Sequence, residues 1–126
     1  MNATTVISTD KAPTAIGPYS QAISTGSLIF TSGQLPLEPG SKDMPDNIKD
    51  QTRASLINVR AILEEAGSSL QKVVKTTVYL TDISDFASVN EVYAEFFSAP
   101  FPARSCFAVK ALPLGARVEI EVIASV

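Results

Sequence analysis

Pro102-Ala-Arg-Ser-Cys-Phe-Ala-Val109 and Arg117-Val-Glu-Ile-Glu-Val-Ile-Ala124 both alternate with the period of two that marks strands. Phe107 and Val109 share one face of the first stretch, and Arg104, Cys106 and Ala108 the other. In the second, Val118, Ile120, Val122 and Ala124 share a face, opposite Arg117, Glu119 and Glu121. The link between them holds Pro113 and Gly115, both turn residues. An antiparallel hairpin is the economical reading. Paired residues lie on the same face of a sheet. If the Phe107/Val118 face is buried, parity puts Arg104 and Glu119 together on the opposite face. A planar guanidinium beside a carboxylate suits the binding and conversion of a small acid. A surface ion pair of little energetic weight is the other reading of the same pattern.

Upstream of this hairpin, the signals alternate between strand and helix. Ser84 or Asp85 is the expected cap of a helix running to about Phe97, with Phe86, Val89, Tyr93 and Phe96 as its stripe; Pro100 and Pro102 prevent its continuation. Val73 to Leu80 reads as the clearest strand, with Val74, Val78 and Leu80 on one face and Lys75, Thr77 and Tyr79 on the other. A longer helix is expected from a cap at Asp46 or Asn47 to about Ala66, stopped by Gly67. Its stripe is Leu56, Val59, Leu63 and Ala66, with Ile62 alongside. Residues 35–45 form a polar, proline-containing loop. Residues 19–34 read as a hairpin turning at Thr25-Gly26-Ser27, and Thr4 to Ser8 as a short first strand. Gly33 interrupts the third strand, which fits either a bulge or a close approach to the backbone.

The order β-β-β-α-β-α-β-β spans residues 1–126 as one domain. Two helices cannot cover both faces of such a sheet, so an α+β layer with both helices on one face is expected. The other face, carrying Lys75, Thr77, Tyr79, Arg104, Cys106, Glu119 and Glu121, is semi-polar and suited to another subunit.

Composition narrows the chemistry. The chain has 126 residues, 45% hydrophobic and 18% charged, with a formal net charge of -3. An acidic balance makes nucleic acid an unlikely partner, because phosphate binding rests on Lys and Arg. There is no His and only one Cys, so Ser-His-Asp and Cys-His catalysis, an intrachain disulfide and Cys or His metal clusters are excluded. Residues 1–5 carry no basic segment followed by an apolar run, and no stretch reaches membrane-spanning length. A cytoplasmic protein is expected, or an organellar one in a eukaryote, without cofactor or metal.

Four segments resemble the Rid family, also called the YjgF family: Gly17-Pro-Tyr-Ser-Gln-Ala22, Thr31-Ser-Gly-Gln34, Lys75-Thr-Thr-Val-Tyr-Leu-Thr-Asp82, and Pro102-Ala-Arg-Ser-Cys with Val118-Glu-Ile-Glu121. The similarity is strongest to its RidA type, the 2-iminobutanoate/2-iminopropanoate deaminases. The resemblance implies a chorismate-mutase-like (ferredoxin-like) mixed sheet and a homotrimer with clefts between subunits. It implies that Arg104 pairs with the substrate carboxylate, assisted by the Cys106 backbone N–H. It implies that Glu119 positions or activates water, that Tyr19 closes the cleft, and that Ser32, Gly33 and Asn90 line it. The implied reaction hydrolyses a reactive 2-imino acid to a 2-keto acid and ammonia. Other readings within the resemblance are a keto-acid-binding module without turnover, an endoribonuclease and a translation inhibitor.

Overall fold

Among the described residues, six strands and two α-helices follow one another in the expected order: β1 Thr5–Ile7, β2 Ala22–Ser24, β3 Leu28–Thr31, α1 Ile48–Glu65, β4 Val73–Leu80, α2 Phe86–Phe96, β5 Ala103–Ala108 and β6 Val118–Ser125. The computed structural model describes residues 4–126; Met1 to Ala3, part of the stretch expected to carry no leader, lie outside the described residues.

α1 starts where Asn47 accepts a hydrogen bond from the Asp50 amide through its side chain, and ends before Gly67, which takes a left-handed φ of +79°. α2 starts differently from expectation. Asp82 caps a single turn of 3-10 helix by accepting from the Ser84 amide at 2.9 Å. Asp85 occupies the N-cap position of α2 without a capping bond, because its carboxylate is gripped by Arg117 at 2.9 and 3.0 Å.

The strands form one mixed sheet in the order β1-β2-β3-β6-β4-β5. β4 and β5 are parallel; the other neighbours are antiparallel. The expected hairpin of the last two strands is therefore not formed. Parallel neighbours need a crossover connection, and α2 supplies it between β4 and β5. β6 then enters between β3 and β4. Its Val118, Ile120, Val122 and Ala124 are fully or almost fully buried, which fits the sheet centre. β5 offers the same face only Arg104, Cys106 and Ala108, which leaves it the edge.

This order also overturns the expected facing. Thr76 pairs with both Arg104 and Val122, whereas Tyr79 pairs with both Phe107 and Glu119. Residues 76 and 79 of one strand point to opposite faces. Arg104 and Cys106 therefore lie on the helix-covered face with Val122 and Ile120, and Glu119, Glu121 and Phe107 lie on the uncovered one. Phe107 and Val118 do not share a face. A further difference sits in β4, where a register shift between Val73 and Lys75 leaves Val74 49% exposed and Val73 buried.

Both helices pack on one face, as expected of the α+β layer. Leu56, Val59, Ile62 and Leu63 of α1 and Val89 and Tyr93 of α2 join the buried residues of β4 and β6 in a single core. Phe86 and Phe96 of the expected α2 stripe are only partly covered, and Val92 and Phe97 are buried instead.

Candidate functional site

The third strand breaks where the sequence put a glycine. Phe30 pairs with Ile123, and pairing resumes at Gln34 with Ile120, so three residues of one strand face two of the other. That is a bulge of one residue. The ladder donor left over, the Val122 amide, is satisfied by the Thr31 hydroxyl at 3.0 Å. Ser32 donates through its hydroxyl to the Ser20 carbonyl at 2.6 Å and through its amide to the Gln21 carbonyl at 2.8 Å. These bonds tie the bulge to the loop that carries Tyr19, whose side chain is exposed.

Gly33 is also a close approach, but by a side chain of this chain. A Cβ at Gly33 would lie 1.8 Å from Glu119 Oε2 and 2.7 Å from its Cδ. The carboxylate occupies the space that any other residue would fill. Burial, aided by the like charge of Glu121, pushes the Glu119 carboxyl above the ordinary carboxylate range. Glu121 itself accepts from the Tyr79 hydroxyl at 3.1 Å. Glu119, Gly33, Ser32 and Tyr19 thus form one group, on the uncovered side of the sheet and its adjoining loops.

Arg104 belongs to a second group at the β5 edge. Its guanidinium lies over the rings of Tyr93 and Phe86, 4.8 and 5.3 Å from their centroids, and Nη1 donates to Asn90 Oδ1 at 2.7 Å. Phe86, Asn90 and Tyr93 fall at i, i+4 and i+7, one face of α2. Asn90 is the only hydrogen-bond partner of Arg104 among the described residues. The rest of its five-donor fork is therefore available to a ligand. A cleft of about 420 Å³ opens beside it, lined by Asn90, Tyr93, Ala94, Phe101, Pro102 and Arg104.

Cys106 lies two residues along the same edge. The Val109 amide donates inward to Leu80 O at 2.7 Å. Amide directions alternate along a strand, so the amides of Cys106 and Arg104 turn outward at the free edge of the sheet. The Cys106 thiol points back towards the core, where burial raises its pKa against a smaller opposing effect of Arg104. A thiol so placed is a poor nucleophile.

The structure therefore brings Arg104, Cys106 and Asn90 together, and separately Glu119, Gly33, Ser32 and Tyr19. It does not bring Arg104 to Glu119. The expected pairing of the two on one face is corrected by the position of β4 between their strands. Sequence reasoning also missed the seat of the guanidinium: Tyr93 and Phe86 read as apolar stripe, although their spacing from Asn90 was the available signal. Among the described residues, no group of three or more His, Cys, Asp or Glu side chains is placed to hold a metal, and no helix is long and apolar enough to cross a membrane.

Known proteins share this fold and much of this sequence. The family model described as Endoribonuclease L-PSP matches residues 9–126. The RutC family protein y4sK of Sinorhizobium fredii is 55% identical over 120 residues, which cover 94% of this chain and 95% of that protein. Reactive Intermediate Deaminase A, chloroplastic, of Arabidopsis thaliana is 51% identical over 121 residues, 95% of this chain and 65% of that protein. The crystal structure of E. coli TdcF with bound serine superposes with a TM-score of 0.93 at 47% identity, covering 97% of this chain and 98% of that one.

Proposed function

The chain belongs to the Endoribonuclease L-PSP family, the Rid or YjgF family that its motifs resemble, and from that premise we propose that it is a deaminase of reactive 2-imino acids, with 2-iminopropanoate and 2-iminobutanoate as substrates. The observation that carries the reading is Arg104: a guanidinium stacked on two rings, held by Asn90 alone, with an outward backbone amide two residues away. A planar fork of this kind grips a carboxylate bidentately. The Cys106 amide would complete the grip.

The carboxylate of a 2-imino acid adjoins the electrophilic C=N carbon, so fixing one positions the other. Water attacks that carbon while Glu119 takes its proton. Glu119 returns that proton to the imine nitrogen, giving the carbinolamine; its hydroxyl proton then passes to the amine as the C–N bond breaks, and ammonia leaves with the 2-keto acid. A raised carboxyl pKa brings Glu119 nearer the operating pH of such a base.

Arg104 and Glu119 lie on opposite faces of one sheet, so a substrate touching both must sit between two copies. In a homotrimer, the β5 edge of one subunit would meet the Glu119 side of the next. Mixing Arg104→Ala with Glu119→Gln chains tests this. Each chain alone should be near background. Random mixed trimers should recover roughly a quarter of wild-type imine hydrolysis, the fraction of clefts receiving both intact residues. Mixed oligomers without recovery would place both residues in one copy and overturn the shared cleft. Wild-type protein that binds keto acids yet leaves imine decay unchanged would overturn the deaminase.

A further inference from the structure

Arg104 is seated by the side chains of a single helix: two rings of α2 lie under its guanidinium and Asn90 accepts from it. The plane of the fork is therefore set by how α2 is rotated and tilted against the sheet. Two polar anchors fix that rotation. At the far end of the seat, the Tyr93 and Thr76 hydroxyls share a hydrogen bond of 2.9 Å, which ties the helix to β4. At the near end, Asp85 directly precedes Phe86, and both its carboxylate oxygens accept from Arg117 Nη2, at 3.0 and 2.9 Å. Arg117 is itself held from two further sides at the foot of β6. Its amide donates to Gln51 Oε1 of α1 at 2.9 Å, and its carbonyl accepts from the Thr81 amide at 3.2 Å. Gln51 is buried and donates in turn to the Pro45 carbonyl.

The stability of α2 alone does not call for this pair. An Asp at an N-cap ordinarily accepts from an amide of the first turn, and Asp85 forgoes that bond. The other ion pairs of α2, Glu91 with Lys49 and Glu95 with Arg53, have acids 67% and 49% exposed, whereas the Asp85 side chain is 13% exposed. Exposed pairs contribute little. The enclosed one stands at the residue that adjoins the first ring of the seat.

We propose that Asp85 and Arg117 are positioning residues for the substrate carboxylate: their ion pair fixes the rotation of α2, and through Phe86, Asn90 and Tyr93 the plane in which Arg104 presents its fork. The proposal rests on the reading of Arg104 as the carboxylate-binding residue. A planar donor pair grips a carboxylate bidentately only when the two planes match. A loosened helix would leave the charge of Arg104 in place and spoil its direction.

Asp85→Asn separates this role from folding. Asn caps a helix as well as Asp does, so the melting temperature should hold while the ion pair is lost. Pyruvate binding to the whole protein, by calorimetry, should weaken about tenfold, the lower end for one hydrogen bond to a charged group. KM for 2-iminobutanoate should rise by the same factor with kcat within about twofold, the pattern of lost uniform binding. Arg117→Met should behave alike. Arg117→Lys should restore affinity to within about twofold, because one nitrogen makes both contacts to Asp85. On an Arg104→Lys background, Asp85→Asn should change pyruvate affinity by less than about twofold, since an ammonium has no plane to seat. Unchanged affinity in Asp85→Asn, or an equal loss on both backgrounds, would overturn the proposal. So would a loss that only follows a fall in melting temperature. Wild type that binds pyruvate without hydrolysing imines would sink the deaminase reading, and the calorimetric comparison would still decide the role of the pair.

Discussion

Gly33 carries more consequence than its size suggests. Its backbone is not in the left-handed region, so the missing side chain serves space, not conformation. The atoms it makes room for are the mobile end of Glu119. Gly33→Ala should therefore push the carboxylate aside at little cost to folding. We expect imine hydrolysis to fall by about the contribution of one acid–base group, 10² or more, with a stability change within about 0.5 kcal/mol. The double variant with Glu119→Gln should lose no more than Glu119→Gln alone, because the two changes remove one function. Stopped-flow kinetics with thermal melts on the same samples would show it, and additive losses would break the link.

Edge strand β5 is where one element serves the site through its backbone. An edge strand keeps half its amides off the ladder. Those of Arg104 and Cys106 are on the free side, given that the Val109 amide bonds inward. Proline is tolerated at such a position, where no ladder bond is lost. Cys106→Pro should keep the fold and weaken keto-acid binding by about 10- to 100-fold, the range for a hydrogen bond to a charged group. Cys106→Ala keeps the amide and should retain most turnover, because the thiol is held towards the core. Calorimetry on both variants separates amide from thiol: a strong loss in the alanine variant alone would return the role to sulfur.

At the scale of the whole molecule, the uncovered sheet face is the conspicuous feature. Val6 is 63% exposed, Phe30 41% and Phe107 46%. Tyr79 stacks edge-on against Phe107 and bonds Glu121 in the same layer. Apolar groups gathered on one face around a few satisfied polar ones mark a surface for another protein chain. The proposed homotrimer would cover it. Phe30→Glu lies outside the sheet–helix core, so it should leave each chain folded by circular dichroism and shift the light-scattering mass from three copies to one. Imine hydrolysis should vanish with the trimer if, as proposed, the cleft is shared between two chains. A monomer that still turned over substrate would contradict that requirement.

The sequence by itself determined the element order and the α1 stripe, left Gly33 open between a bulge and a close approach, and named Arg104, Glu119 and their neighbours only through motif resemblance, without the Phe86 and Tyr93 rings that seat the guanidinium. These are local matters: periodicity, caps, turn residues and motif strings are all legible within a few positions. Only the tertiary structure decided which strands are neighbours. Residues 103–108 and 118–125 are adjacent in sequence and look like a hairpin, yet α2 carries the first to the edge and β6 takes the centre. Because strand side chains alternate faces, placing β4 between them set Arg104 and Glu119 on opposite sides. No pattern along the chain encodes that choice. It follows from how much apolar surface each strand can bury and from the crossover that a parallel pair requires.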